Sequence, residues 1–216
     1  MATTPMVYYS MDELAREYVI AFYNQTLRSF GDSPESLRWT PEGQRAHYEA
    51  MLDIALGIEG RKVLDFGCGK GDFYQFLKEK RIELHYTGLD INENLIALAK
   101  QKFPEARFGV FDIERDAMSE EFDYIFLCGV FNLKVQGIDD LIRFTLKKLF
   151  SCCRIGLAFN ALSAHAPRKA FELHYTSPEA LFQFAAENLS PFVAMRHDRI
   201  PYDFTMFVYR DLNPRP

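Results

Sequence analysis

The sequence predicts an α/β fold with a mostly parallel sheet of seven strands and helices on both faces. Short apolar runs ending in glycine or aspartate alternate with helical patterns through the middle of the chain, as in strand–crossover–strand units. The stretch Arg61 to Asp72, RKVLDFGCGKGD, is a strand that stops in a glycine-rich turn and passes directly into a helix. The last two strand-like segments have no helix between them, so they must form an antiparallel hairpin at the sheet edge. At 216 residues, 48% of them hydrophobic, the chain is long enough for one domain with a full core.

Taken in order, residues 1–9 show no pattern. Ser10-Met11-Asp12-Glu13 is a capping box opening a helix, with Leu14, Tyr18, Ala21 and Phe22 on one helical face. Ser29 to Arg38 is polar, contains Gly31 and Pro34, and reads as a loop. Thr40-Pro41 supplies a capping oxygen and a first-turn proline. The helix it starts buries Tyr48, Met51, Leu52 and Ala55 and ends at Gly57 and Gly60. Trp39 and Gln44 stand near the junction of these two helices. Val63, Leu64 and Phe66 make the first strand, and Phe73, Phe76 and Leu77 mark the helix after the turn. Leu84 to Leu89 is the second strand, closed by Asp90. Asn92 caps the next helix, which buries Leu95, Leu98 and Ala99 and ends at Pro104. Arg107 to Phe111 is the third strand, closed by Asp112, and Phe122 to Cys128 the fourth, followed by Gly129. Ile138, Leu141, Ile142, Leu146 and Leu149 define a helix, and Ile155 to Phe159 the fifth strand. Ser177-Pro178 opens the last helix. Phe192 to Met195 and Phe204 to Tyr209 close the sheet, with His197-Asp198 in the bend between them.

Composition removes several function classes. The net charge is −5 and no basic stripe is present, which argues against a non-specific nucleic-acid binder. No apolar run is long enough to span a bilayer, and MATTPMVYYS lacks the basic-then-apolar order of a leader, so a soluble cytoplasmic protein is expected. Cys68, Cys128, Cys152 and Cys153 form no C-x-x-C pair and read as free thiols of a reducing compartment. No metal site is expected; Asp139-Asp140 compensates a helix dipole.

In an open α/β sheet, ligands sit beyond the carboxyl ends of the strands. Those ends here are the glycine turn, Asp90, Asp112 and Cys128-Gly129. Gly67, Gly69 and Gly71 are spaced G-x-G-x-G. A dinucleotide fingerprint needs glycine where Asp72 stands, which argues against a nicotinamide or flavin. Asp90, about 20 residues beyond the turn, suits a ribose diol, and Asp112 suits a donor such as an adenine amino group. A nucleoside ligand accounts for both.

These residues resemble the class I S-adenosylmethionine-dependent methyltransferases. VLDFGCGKG is similar to their first motif, YTGLDI to the second, Phe111-Asp112-Ile113 to the adenine-binding turn and FDYIFLCG to the fourth-strand motif. RHDRIPYDFTMFVYR is similar to their reversed seventh strand, and the resemblance covers roughly residues 60 to 210. WTPEGQ and CGVFN resemble a bacterial group of these enzymes whose substrates are unassigned; there an arginine usually stands where this chain has His47. The resemblance implies a Rossmann-like core over 58–216, with residues 1–57 as an amino-terminal helical cap of the same domain. It implies S-adenosyl-L-methionine as cofactor, with Asp65, Gly67, Cys68 and Gly69 at the methionine end. Asp90 would hold the ribose, Ile91, Asp112 and Ile113 the adenine, and Cys128 would lie beside the methionine moiety. Trp39 and Gln44 are expected near the site from the cap. Asn132, His47 and His197 are the catalytic candidates; their ordinary roles would be a turn, a surface histidine and a hairpin bend. Asn160 and Ser163 are either substrate contacts or loop residues.

The function expected is O- or N-methylation of a small-molecule acceptor by a monomer or homodimer. Nucleic-acid or protein methylation is the alternative. Amino-methylating nucleic-acid enzymes usually carry a proline pair after the fourth strand, where this chain has Cys128-Gly129-Val130-Phe131-Asn132. A non-catalytic module that keeps the nucleoside site is the other alternative, and both strand-end acids are present.

Overall fold

Val63 and Leu64 are neighbours in sequence, point to opposite sides of one strand, and are both completely buried. The sheet is therefore covered on both faces, as parallel sheets require. The computed structural model describes residue 11, residues 13–55 and residues 57–211. Two members of the expected capping box, Ser10 and Asp12, lie outside the described residues.

In chain order the elements are α1 (Glu13–Phe30), a 3₁₀ turn (Pro34–Leu37), α2 (Pro41–Met51), a second 3₁₀ turn (Leu52–Ile54), β1 (Lys62–Phe66), α3 (Asp72–Glu79), β2 (His85–Asp90), α4 (Glu93–Lys102), β3 (Arg107–Val110), β4 (Phe122–Leu127), α5 (Ile138–Ser151), β5 (Cys153–Leu162), α6 (Pro178–Asn188), β6 (Val193–Ile200) and β7 (Asp203–Tyr209). The strand order is β3-β2-β1-β4-β5-β7-β6. Pairs from β3 to β5 are parallel, while β7 runs antiparallel to both β5 and β6. This is the seven-stranded, mostly parallel sheet with an antiparallel closing hairpin that the sequence predicts.

One core layer packs α5 and α6, through Ile142, Leu146, Leu149, Leu181 and Ala185, on Leu64, Ile125, Leu157 and Phe204. The other packs α2, α3 and α4, through Met51, Phe73, Phe76, Leu77, Ile96 and Ala99, on Val63, Tyr124, Phe126 and Ala158. Helix starts follow the residues read as caps. The Thr40 hydroxyl accepts from Gly43 N and the Asn92 side chain from Asn94 N and Leu95 N.

Three expectations need correction. The apolar stripe read on one face of α1 points out: Leu14 is 76% and Tyr18 47% exposed. The helix instead buries Ala15, Arg16 and Thr26. The ion pairs that Arg16 finds on the core fix its rotation more strongly than a short apolar stripe does. Ser29 to Arg38 is not all loop, since α1 runs to Phe30 and a 3₁₀ turn follows; Thr26 Oγ1 donates to Ser36 O at 2.6 Å and ties the two. His197 and Asp198 are not in a bend. They lie within β6, where the register breaks between Arg196 and Ile200, and the turn is at Pro201-Tyr202. Arg196 and Arg199 both reach Asp53, at 3.2 and 2.7 Å, and hold this longer strand against the second 3₁₀ turn.

Phe126 is fully buried in the central strand, with its ring centroid 5.2 Å from that of Phe73. Phe126→Ala should cost about 3–5 kcal/mol, because the close-packed layer relaxes only in part around the deletion. Urea denaturation should show a lower midpoint at unchanged slope.

Candidate active site

At the carboxyl ends of β1 to β4 the chain leaves a cleft of about 1080 Å³ with its open mouth included. Glycine makes its floor possible. Gly67 and Gly69 have φ of 74° and 54°, the left-handed region. Gly67 N and Cys68 N both donate to Leu89 O, at 2.7 and 3.1 Å, which draws the turn onto the end of β2.

Asp90 stands at that end. Its Oδ2 accepts from Gly69 N and its Oδ1 from Asn92 N, each at 2.8 Å. Burial raises its pKa above the ordinary carboxylate value, and the amide donors oppose that rise. Tyr23 of α1 also lines the cleft, and its hydroxyl is pushed up to about 12 by burial and by the charge of Asp90. At the far side, Asp112 Oδ1 accepts from Glu114 N at 2.9 Å. Arg16 Nη2 reaches Glu114 at 2.9 Å, and Arg16 Nε lies 2.8 Å from Asp112 Oδ2. The second contact is off the N–H axis, so it is an ion pair and not an aligned hydrogen bond.

The remaining walls are apolar: Val19 and Ile20 of α1, Leu37, Phe111, Leu133, and Ile138 and Leu141 of α5. Thr145 lies in this wall completely buried, and its hydroxyl has no hydrogen-bond partner among the described residues. Trp39 covers Gly129, so closely that a Cβ there would stand 2.5 Å from Trp39 Cζ2.

Of the residues singled out by sequence, Gly67, Gly69, Asp90, Ile91, Asp112, Ile113, Cys128 and Trp39 line this cleft together. Burial raises the Cys128 thiol, so it is a small neutral wall residue. Six others stand apart from the lining. Asp65 points to the opposite face and accepts from Tyr86 Oη at 2.6 Å. Cys68 is buried behind the turn. Gln44 donates to Asp72 at 3.0 Å, in a cluster where Lys70 and Lys102 also bind Asp72 and Asp32. His47 is buried behind Trp39, ring centroids 4.4 Å apart. The Asn132 backbone accepts from His174 N at 2.9 Å, while its side-chain oxygen is buried without a partner. His197 lies in a shallow exposed hollow with His165 and Phe182. Asn160 belongs to β5 and not to a loop.

Sequence reasoning missed Tyr23, Leu37, Val130 and Thr145 in the lining and Arg16 behind Asp112. Tyr23 and Thr145 had no signal beyond helical spacing. The donor set fits a nucleoside with an amino-acid tail: left-handed glycines, an acid held by the turn and a second acid across an apolar slot.

A family model described as a methyltransferase domain matches residues 64–156. A protein of Mycobacterium tuberculosis, named provisionally as a methyltransferase, is 31% identical over 152 residues, 68% of this chain and 91% of that protein. The chain belongs to the class I S-adenosylmethionine-dependent methyltransferases, and it is an enzyme whose methyl donor is S-adenosylmethionine. Among more distant relatives, the malonyl-[acyl-carrier protein] O-methyltransferase of Pectobacterium atrosepticum is 31% identical over 56% of this chain and 47% of its own length. The trans-aconitate 2-methyltransferase of Delftia acidovorans is 35% identical over 36% of this chain and 28% of its own length. The chain thus spans less than half of these last two proteins. Magnesium protoporphyrin IX methyltransferase from Synechocystis PCC 6803, solved with bound SAH, shares the fold with a TM-score of 0.67 at 16% identity, over 92% of this chain and 99% of that one. Among the described residues, no helix is long and apolar enough to cross a membrane.

Burial, with the charges of Asp90 and Asp72 adding to it, pushes Asp65 from 3.8 up to about 7 against the Tyr86 hydrogen bond. Between those values the folded chain holds a proton at Asp65 that the unfolded chain does not, so this residue lowers stability as pH rises from about 4 to 7. Asp65→Asn should therefore gain melting temperature over the native protein progressively across that window and show little difference below it. A constant difference at every pH would rule this out.

Proposed function

We propose that this enzyme methylates an oxygen or nitrogen of a small-molecule acceptor, and that residues 13–54 act as a cap over the cofactor. The observation that carries the reading is one apolar cleft joining the glycine turn, Asp90 and Asp112 to the cap residues Tyr23 and Trp39. Gly67, Gly69 and their amides would hold the methionine end, Asp90 the ribose hydroxyls, and Ile91, Asp112 and Ile113 the adenine. When bound, the sulfonium supplies an activated methyl group for in-line displacement. The protein's own part is alignment and exclusion of water. Tyr23 and Trp39 bring aromatic faces to the mouth, suited to a cationic centre.

The described lining contains no histidine, lysine or arginine. An acceptor already ionised, such as a carboxylate, or a neutral amine needs no base to take its proton. Asn132, His47 and His197 stand outside the lining, so proton transfer by them is not part of the reading. The names trans-aconitate and malonyl-[acyl-carrier protein] in the distant relatives support an acidic acceptor.

S-adenosylhomocysteine should raise the melting temperature, since a ligand that binds only the native state stabilises it, and NAD should not. Asp90→Ala should weaken S-adenosylhomocysteine binding about ten- to a hundred-fold, the range for one charged hydrogen-bond acceptor. Calorimetry on the folded variant showing native affinity would remove Asp90 from the site. In a panel of labelled methyl transfers, a monocarboxylate is expected to be modified before a tricarboxylate, since the described lining holds Asp90, Asp112 and Glu114 and no cation.

A further inference from the structure

A chain of buried polar contacts runs from the cap to the end of β4 without entering the cleft. His47 Nδ1 lies 2.7 Å from Gly43 O, one turn earlier on α2. A carbonyl oxygen only accepts, so Nδ1 carries a proton. His47 Nε2 lies 3.2 Å from Asp203 Oδ2, within ion-pair range although off line for a hydrogen bond. Asn160 Nδ2 donates to both Asp203 oxygens, at 3.3 and 3.2 Å. Asn160 Oδ1 accepts from Gly129 N at 2.8 Å. The three side chains are between 1% and 7% exposed. The loop closes through carbon, because the Trp39 ring packs on His47 at one side and on Gly129 at the other.

We propose that His47, Asp203 and Asn160 are positioning residues that set the Trp39 lid and the Gly129 turn against each other at the β4 end of the cleft. The inference rests on the reading given above of this cleft as the cofactor site. Three features support it. Gly129 has φ of 74°, a conformation its neighbours must hold in place, and its amide is taken by a side chain and not by a strand partner. Asp203 opens β7 opposite Leu162, and Asn160 sits opposite Thr205, so the acid and the amide are both fixed by sheet register and not by a loop. Neither residue lines the cleft, so this arrangement has no direct use in binding the cofactor. A buried acid that faces an imidazole and a carboxamide costs desolvation, and such groups are best explained by the geometry they specify.

The test uses the full chain and its single tryptophan, so that emission reports Trp39 alone. In His47→Leu and Asp203→Asn, acrylamide should quench Trp39 more strongly than in the native protein. The Gly129 amide should exchange about tenfold faster in both, the cost of one net hydrogen bond. His47→Gln, which offers an amide donor to Asp203 in place of the ring, should restore most of both signals. Affinity for S-adenosylhomocysteine should change less than in Asp90→Ala. Should Asp203→Asn fail to fold, the His47→Leu and His47→Gln pair decides, since His47 touches Gly129 only through the proposed contacts. Unchanged quenching and exchange in the folded variants would overturn the proposal, as would equal values in the leucine and glutamine variants. Failure of the native protein to bind S-adenosylhomocysteine would sink the cofactor reading alone and leave these two signals to judge the relay.

Discussion

The carboxylate of Asp90, shared between the amides of Gly69 and Asn92, is the contact on which the cleft depends. It joins the end of β2 to the turn that follows its neighbour β1 and to the residue before α4. The turn must be glycine at Gly67 and Gly69 to reach that carboxylate with positive φ. The helix must begin at Asn92, whose side chain then caps α4 and reaches Ile20 O of α1 at 3.2 Å. One acid thereby orders two crossovers and the first contact of the cap. The same acid presents its remaining lone pairs to the cleft. The shape of the cleft and the integrity of the sheet top are thus not separable properties.

The site carries a cost in buried charge. Asp65 and Asp90 are both raised by burial, and Asp65 takes part of its increase from Asp90. Tyr86 offsets some of this from below by donating to Asp65. An apolar residue at position 65 would remove the penalty, yet Asp65 sits one residue before Phe66 and the turn, where its hydrogen bond fixes how β1 leaves the sheet. Groups destabilised in this way concentrate where geometry matters more than stability.

What sequence showed and what it hid divide along physical lines. Strands and crossover helices were legible because alternation and amphipathic spacing report burial directly: Val63, Leu64, Phe73, Phe76 and Leu77 all lie where the pattern put them. The strand-end residues were legible because the sheet dictates that ends converge, so Gly67, Asp90, Asp112 and Cys128 met in one cleft. The cap was not legible. Its rotation is set by Arg16 finding Asp112 and Glu114 across roughly a hundred residues of sequence, and no local period encodes that. Helical periodicity chose Leu14 and Tyr18, and the long-range ion pairs overrode it. Asp203 was hidden for a related reason, since an acid after Pro201-Tyr202 has the composition of a turn. Its partner Asn160 was noticed, but as a residue after the strand and not within it.

The way the cap is fastened explains why those errors cluster there. Three polar roots hold it: Arg16 on Asp112 and Glu114, Gln44 on Asp72 beside Lys70 and Lys102, and His47 on Asp203. Each lands on a different part of the sheet top, and Trp39 fills the space between them. Buried polar contacts of this kind contribute little net stability once desolvation is counted, but they favour one placement over its neighbours. An apolar segment would gain from sliding to any greasy surface, whereas this one gains only where three separate sets of polar contacts, at Arg16, Gln44 and His47, are made at once. A methyl-transfer site needs that property, because excluding water without fixing the lid would not align donor and acceptor. The polar residues of α1 and α2 are therefore placement devices, and the apolar ones between them close the cleft.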